Sequence, residues 1–256
     1  MRANVRANVG PRGRKIAVCL LSGGIDSTVA AYYARSLGYD VYTLWVNYGQ
    51  LSAKQELDRV KKIAHLLGTK EQKTLNVADF ASLSLSPLTG HGRIPNHVEQ
   101  NTNGEIPSIH PPGRDLLLMW LGIAWAESIW LQNLKMTNQI EVLMGTNRDD
   151  SRTYPDCKPD TYKQINEIVK TSTKLGVQYK KWVTVVTPLI QMSKLQVAEL
   201  GLRLGVPLDL TWSCYKGTSK PCGVCGACRH RTRVFEKLDI KNNRAKSNTH
   251  KKVTMT

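Results

Sequence analysis

Hydrophobic positions along the chain alternate between short continuous runs and runs with helical spacing. The continuous runs predict five buried parallel strands, at residues 15–20, 40–49, 71–77, 140–145 and 182–189. Between them, apolar residues recur every three or four positions, which predicts helices near 29–34 and at 52–68, 114–130, 160–176 and 193–205. Such alternation is typical of a doubly wound α/β fold, which binds ligands at the carboxyl ends of its strands.

Polar clusters follow three of the predicted strands. "SGGIDST" follows the first strand, "NYGQ" the second, and "GTNRDDSRTYPDC" the strand at 140–145. In the first cluster, glycines permit close backbone approach, and the helix that follows begins with N–H groups that lack an intrahelical partner. This arrangement favours an anion, most naturally phosphate.

Four of the six cysteines stand close together, with the spacing C-x7-C-x2-C-x2-C. In a cytosolic chain this spacing indicates a metal site, and four thiolates favour a closed, structural zinc site. An iron–sulfur cluster and a redox pair are the alternatives. The predicted ligands are Cys214, Cys222, Cys225 and Cys228. We expect Cys19 to be a buried apolar residue.

The length of 256 residues accommodates one substantial domain and a small appendage. We predict a flexible basic tail at 1–14, a main domain at 15–205, a zinc-binding subdomain at 206–240 and a second flexible basic tail at 241–256. Nothing in the sequence resembles a signal peptide, and no apolar run reaches the ~20 residues that span a bilayer. We therefore expect a cytoplasmic protein.

The net charge of +16 raises the question of nucleic-acid binding. Ten of the basic residues lie near the two ends, which makes a tail that contacts nucleic acid conceivable but not required. These residues are Arg2, Arg6, Arg12, Arg14, Lys15, Lys241, Arg244, Lys246, Lys251 and Lys252.

A long segment without periodicity, residues 87–112, separates the third strand from the apolar helix. A loop of this length in a compact domain is usually functional or disordered. It carries His91, His97 and His110, for which we favour exposed positions over a second metal site.

Several motifs together resemble one enzyme family. "LSGGIDST" is similar to the pyrophosphate loop of the N-type ATP pyrophosphatases. This loop, "NYGQ", "GTNRDDSRTYPDCKPD", "TPLIQMSKLQV" and "TWSCY…CGVCGACRHR" occur in the same order as in the 7-cyano-7-deazaguanine synthases of the QueC/ExsB group. The resemblance runs from about residue 15 to residue 237. It implies an adenine nucleotide alpha hydrolase-like, Rossmann-like fold.

The resemblance also implies a reaction. Enzymes of this family convert 7-carboxy-7-deazaguanine, ammonia and ATP into the 7-nitrile through an acyl adenylate and an amide. Such chemistry depends on positioning and charge neutralisation more than on a protein nucleophile. The family implies ATP and Mg²⁺ beside the structural zinc, small-molecule substrates and a homodimer.

The resemblance further implies which residues of this chain form the site, and the roles below are what it implies. Catalytic roles fall to Asp26, Arg114 and Lys194. Nucleotide contacts fall to Leu21, Ser22, Gly23, Gly24, Ile25, Asp26, Ser27, Thr28, Val29, Ala30, Ala31 and Gly145. Substrate contacts fall to Tyr48, Gln50, Arg114, Asp115, Thr146, Asn147, Asp150, Tyr154 and Asp156, with Cys157 beside them.

One departure from the family pattern bears on the product. Asp115 stands where the family usually has Asn, so a variant that stops at the amide is an alternative. A second alternative is an RNA-adenylating tRNA-modification enzyme, which the basic ends would suit. A nucleic-acid-binding module that has lost catalysis is the third, against which the intact loop with Asp26 argues.

Overall fold

The computed structural model describes residues 13–96, 105–132 and 137–253. Within these ranges, five strands form one parallel sheet in the order β3-β2-β1-β4-β5. The strands are β1 (Arg14–Leu20), β2 (Asp40–Asn47), β3 (Glu71–Asn76), β4 (Thr137–Leu143) and β5 (Thr184–Val186). The strand order reverses direction at β1, so the crevice between β1 and β4 is the topological switch point of the sheet.

Helices follow the strands and cover both faces of the sheet. They are α1 (Ile25–Ser36), α2 (Ala53–Leu67), α3 (Phe80–Leu83), α4 (Arg114–Gln132), α5 (Arg148–Thr153), α6 (Pro159–Ser172), α7 (Lys174–Tyr179), α8 (Lys194–Arg203) and α9 (Gly226–Val253). The largest buried cluster lies between α4, α6 and the sheet, where Met119 and Ile123 meet Val18 and Val142. The prediction of a doubly wound parallel α/β fold is confirmed.

The predicted helix at 160–176 is wrong in one respect, because the structure breaks it into α6 and α7. Thr173 has extended backbone, and its hydroxyl accepts a hydrogen bond from the N–H of Gly176 at 3.1 Å, which starts a new helix. A Cβ on Gly176 would lie 2.1 Å from the carbonyl oxygen of Lys170. The two helices therefore pack closely only because residue 176 is glycine.

The C-terminal segment packs against the main domain. Val234 and Leu238 of α9 share a buried cluster with Val29 of α1 and Leu200 of α8. Helix α9 continues to Val253, through most of the segment for which we predicted a tail. Residues 1–12 of the predicted N-terminal tail and residues 254–256 lie outside the described residues.

None of the helices in the described ranges has the length and apolarity to cross a membrane.

Candidate active site

The glycine loop connects β1 to α1 at the carboxyl edge of the sheet. Gly23 has φ +76°, which favours glycine, and a Cβ there would lie 3.1 Å from that of Arg59. The hydroxyls of Ser22 and Ser27 lie 3.0 Å apart, and Thr28 donates a hydrogen bond to the carbonyl oxygen of Gly24 at 2.6 Å. The loop is therefore a compact turn at the N-terminus of α1, the arrangement that binds phosphate.

Gly145 lies two residues after β4, directly behind this loop. A Cβ on Gly145 would lie 2.6 Å from the backbone nitrogen of Ser27. Only glycine permits this approach, so residue 145 fixes the position of the loop rather than offering a side chain.

Three charged side chains meet in front of the loop. Lys194, at the start of α8, forms an ion pair with Asp26. Burial on its own would lower the pKa of Lys194, but Asp26 and Asp150 raise it above its usual value. The pKa of Asp150 is raised to about 6, chiefly by burial. Lys194 lowers this pKa and the charge of Asp26 raises it. Oδ1 of Asp26 is buried and accepts no hydrogen bond from any described residue.

The N-terminus of α4 brings Arg114 and Asp115 to the same region. Nε and Nη2 of Arg114 donate to the two carboxylate oxygens of Asp115 at 2.8 and 3.1 Å. Burial opposes the charge on Asp115, yet the guanidinium lowers its pKa below the usual value. Arg114 also lies over the ring of Tyr48, with Cζ 6.0 Å from the centroid. The arginine is thus held rigidly and its charge is largely compensated.

The loop after β2 is held by an internal network. Gln50 donates to Glu56 at 2.8 Å and to the carbonyl oxygen of Val46 at 3.2 Å, and it accepts from the N–H of Tyr48 at 2.9 Å. Glu56 also accepts from Ser52 at 2.6 Å. The amide of Gln50 therefore shapes the loop. Glu56 lines the site although our sequence reasoning did not select it.

The loop after β4 supplies a helix cap and a cavity wall. Oδ1 of Asn147 accepts from the N–H groups of Asp149 and Asp150 at 2.8 and 3.2 Å, so Asn147 caps α5. The hydroxyl of Thr146 lies 2.7 Å from that of Tyr162. Tyr154 stacks on His110, with ring centroids 5.2 Å apart.

Two contiguous cavities open between these elements. The larger has a volume of about 980 Å³ and reaches from the glycine loop to α9. The smaller, about 320 Å³, extends down between the ends of the strands and α4. Both are lined by Ser22, Gly24, Asp26, Tyr48, Gln50, Glu56, Arg114, Asp150, Tyr154, Lys194 and Tyr215, and the smaller also by Leu21, Ser27, Asp115, Gly145, Thr146, His110 and Cys157. The structure thus brings most of the predicted site residues together.

Some predicted nucleotide contacts lie elsewhere. Val29 and Ala30 pack against α8, and Ala31 packs behind β1. In the part of the chain that the structure describes, none of the three lines either cavity. Val29 and Ala30 therefore join α1 to α8, and Ala31 joins it to the sheet.

The four cysteines form a metal-binding arrangement next to the glycine loop. Their sulfur atoms all lie within 4.8 Å of one another. The N–H groups of Cys222 and Cys225 donate to the sulfurs of Cys214 and Cys222, each at 3.4 Å. Four converging thiols are a donor set that suits zinc.

The segment that carries the four cysteines, residues 212–228, is called the cysteine lobe below, and it contacts the glycine loop directly. The backbone N–H of Trp212 donates to the carbonyl oxygen of Gly23 at 2.8 Å. The indole N–H of Trp212 donates to the carbonyl oxygen of Cys214 at 2.8 Å. Tyr215 lines both cavities. Our sequence reasoning did not assign it a role, although its position next to Cys214 in "TWSCY" was a signal.

The histidines of the long loop differ from the expectation. His91 is exposed, as expected, and His97 lies outside the described residues. His110 is not exposed: its side chain is only 11% accessible, and its Nε2 lies 3.6 Å from Oδ2 of Asp156. It is buried because Ile109 and the stacked Tyr154 anchor this end of the loop in the protein.

Comparison with known proteins decides which family has this site. Residues 16–239 match the family model described as "Queuosine biosynthesis protein QueC". The chain belongs to the QueC family. The matched range contains the residues that line both cavities and all four cysteines.

Curated QueC relatives span nearly the whole chain. The 7-cyano-7-deazaguanine synthase of Acidobacterium capsulatum is 35% identical over 90% of this chain and 95% of its own length. That of Methanosphaerula palustris is 34% identical over 88% of this chain and 96% of its own. Among solved structures, the NMN synthetase from Francisella tularensis is similar with a TM-score of 0.41 and 17% identity, over 83% of this chain and 71% of that one.

Proposed function

We propose that this protein is a 7-cyano-7-deazaguanine synthase, a ligase that converts 7-carboxy-7-deazaguanine, ammonia and ATP into the 7-nitrile. Its membership of the QueC family supports this function. The single structural observation that carries it is that the glycine loop, Lys194 and Arg114 line both of the two contiguous cavities, while Asp115, the partner of Arg114, lines the smaller one.

The ATP phosphates would bind at the glycine loop. Backbone N–H groups at the start of α1 would offer donors to the pyrophosphate. Lys194 lies beside Asp26 at the mouth of this loop and would offset negative charge that develops on the leaving pyrophosphate.

A magnesium ion fits the remaining acceptors. Asp26 has one carboxylate oxygen without a partner, and Asp150 faces the same space. Mg²⁺ binds through one or two carboxylates together with phosphate oxygens. When bound, it would neutralise charge on the phosphates.

The deazaguanine would occupy the smaller cavity. This cavity has a volume of about 320 Å³ and lies between Tyr154, Thr146 and the Arg114–Asp115 pair. Asp156 does not line either cavity in the described residues, so the purine contacts that we expected from it fall to the groups that do.

The residues of the site act by orienting the carboxylate of the substrate against the α-phosphate of ATP. The carboxylate of the substrate attacks the α-phosphorus of ATP, pyrophosphate leaves, and the acyl adenylate forms. Ammonia displaces AMP to give the amide. The amide oxygen then attacks the α-phosphorus of a second ATP and pyrophosphate leaves. The carbon–oxygen bond breaks, AMP departs with that oxygen, and the nitrogen loses its two protons, which gives the nitrile. No protein nucleophile takes part in these steps. Cys157 agrees with this, because burial and the neighbouring Asp115 raise the pKa of its thiol and so disfavour the thiolate.

Exchange of labelled pyrophosphate into ATP tests the first step. We expect exchange that requires 7-carboxy-7-deazaguanine and occurs without RNA. Exchange that requires tRNA instead of the free base would support an RNA-adenylating enzyme.

An amide-forming variant is the second candidate, because Asp115 compensates the charge of Arg114. An Asn at residue 115 would leave that charge free to hold a negatively charged intermediate. If the wild-type product is the amide and Asp115→Asn yields nitrile, this candidate replaces the first.

We also propose a homodimer. Leu116 and Trp120 lie one turn apart on α4 and are 39% and 38% exposed. A dimer interface would cover them. Light scattering of the purified protein tests this, and a monomeric mass would contradict it.

A further inference from the structure

A small enclosed group of polar side chains borders the smaller cavity. It consists of Asp115, Asp156, Cys157 and His110. Carboxylate oxygens of Asp115 and Asp156 and the sulfur of Cys157 lie within 4.8 Å of one another. His110, Asp115 and Cys157 line the cavity, while Asp156 lies behind them.

The carboxylate of Asp156 has no hydrogen-bond partner among the described residues, and neither has Nδ1 of His110. The residue is only 7% exposed, and neither carboxylate oxygen accepts a hydrogen bond from a described residue. The nearest basic atom, Nε2 of His110, lies 3.6 Å from Oδ2, beyond hydrogen-bond distance. Buried carboxylates are normally paired, so this arrangement indicates a ligand that supplies donors.

The charges of this group favour the binding of one additional positive charge next to Asp156. Arg114 already neutralises Asp115 through two hydrogen bonds. Cys157 donates its S–H to Oδ2 of Asp115 at 3.5 Å, and its raised pKa keeps it a thiol. Asp156 forms no hydrogen bond to a cation in this group. Burial and the charge of Asp115 raise its pKa, although His110 and Arg114 oppose the rise, so a bound cation would stabilise its carboxylate. The adjacent guanidinium disfavours a divalent ion more than a monovalent one.

We propose that this group binds the ammonium ion from which the enzyme takes its ammonia. Ammonium has one positive charge, the size of a water molecule and four N–H donors, which match the unpartnered oxygens of Asp156. The inference rests on the proposed function, because only a reaction that consumes ammonia needs such a site next to its substrate.

His110 gives the site a proton acceptor. One N–H bond of the ammonium ion breaks, the proton passes to a ring nitrogen of His110, and ammonia keeps the electron pair. The resulting imidazolium is stabilised by Asp156. Ammonia then attacks the carbonyl carbon of the acyl adenylate, the bond from carbon to the phosphate oxygen breaks, and AMP leaves with that electron pair. The surplus proton of the new amide passes to solvent.

Two nucleophiles separate ammonium binding from adenylation. Hydroxylamine is largely uncharged at neutral pH and traps the acyl adenylate as a hydroxamate without a cation site. With the full-length Asp156→Asn variant, we expect the KM for ammonium to rise about tenfold or more, as for the loss of a hydrogen-bonded charge. The rate of hydroxamate formation should stay unchanged. The exposed Asp160→Asn serves as the matched control and should change neither quantity.

A measurement on the wild type does not depend on how the variant folds. Rubidium ions, which resemble ammonium in size and charge, should compete with ammonium and leave hydroxamate formation unaffected. Equal loss of amide and hydroxamate in Asp156→Asn, an unchanged KM for ammonium, or no competition by rubidium would each overturn the ammonium site. A wild type that forms neither AMP nor hydroxamate from the 7-carboxy base would instead refute the proposed function, and the ammonium site with it.

Discussion

At the scale of single residues, the candidate site depends on the balance among Asp26, Asp150 and Lys194. Lys194 is the cation that pairs with Asp26 next to the glycine loop. The two carboxylates repel each other, which is one reason why the pKa of Asp150 is raised. Each of the three groups therefore has a measurable signature.

Replacement of Lys194 by Ala should lower kcat/KM for ATP by roughly 10²–10³, the typical effect of the loss of one group that stabilises a developing negative charge. Steady-state kinetics of AMP formation measure this loss. Lys170→Ala removes a partly exposed lysine that pairs with Glu167 and lies over the ring of Trp182, and it should leave kcat/KM unchanged. Wild-type kinetics in the Lys194→Ala variant would show that Lys194 takes no part in the reaction.

The acidic limb of the pH profile should report Asp150. Because its pKa is raised to about 6, Asp150 is protonated below that pH and ionised above it. If the carboxylate contributes to Mg²⁺–ATP binding, kcat/KM for ATP rises with pH through about 6.

In Asp150→Asn this limb should disappear, and kcat/KM should be low at every pH. ATP itself titrates in the same range, so the variant serves as the control for that contribution. An unchanged limb in Asp150→Asn would assign the titration to another group.

At the scale of elements, two contacts hold the glycine loop in place from opposite sides. Gly145, two residues after β4, supports it from behind, and Trp212 of the cysteine lobe donates a hydrogen bond to Gly23. Both contacts join segments that are more than a hundred residues apart.

Gly145→Ala should distort the loop, because the new Cβ would lie 2.6 Å from the nitrogen of Ser27. We expect a loss of stability of about 1–3 kcal/mol, typical of overpacking, and a lower affinity for ATP. Thermal unfolding and ATP titration measure the two effects.

Gly38→Ala is the comparison, since its Cβ would meet nothing within 4 Å and its cost comes from φ +81° alone. It should lower stability without changing the affinity for ATP. Equal effects of the two substitutions on ATP binding would contradict the role of Gly145.

Removal of zinc should weaken ATP binding, because Trp212 links the cysteine lobe to the glycine loop. Metal analysis should find one zinc per chain, and a strong chelator should lower both the unfolding temperature and the affinity for ATP. Added zinc should restore both, since structural zinc stabilises the folded state. A chelated protein that binds ATP with unchanged affinity would show that the cysteine lobe does not support the loop.

The sequence predicts what is local and leaves out what depends on distant contacts. The strand, the glycine loop and the helix at residues 14–36 follow from spacing and composition alone, and the four cysteines follow from their intervals. The burial of His110 depends on Ile109 and Tyr154, and the role of Tyr215 depends on the cysteine lobe reaching the cavities. The break at Thr173 depends on a glycine that approaches the preceding helix, which helical periodicity does not reveal.

At the scale of the whole molecule, the fold brings four distant segments to one edge of the sheet. The loops after β1, β2 and β4 and the N-terminus of α4 surround the cavities, and the cysteine lobe and α9 complete the wall. The proposed function requires this arrangement, because its nucleotide and its purine substrate must lie side by side.

The most direct test of the account is the product of a single incubation. Purified protein is mixed with 7-carboxy-7-deazaguanine, ATP, Mg²⁺ and ammonium, with mass spectrometry of the base and chromatography of the nucleotide. We predict the 7-nitrile, together with AMP and pyrophosphate. Formation of ADP, or no turnover by zinc-replete protein that binds ATP, would contradict the proposed function.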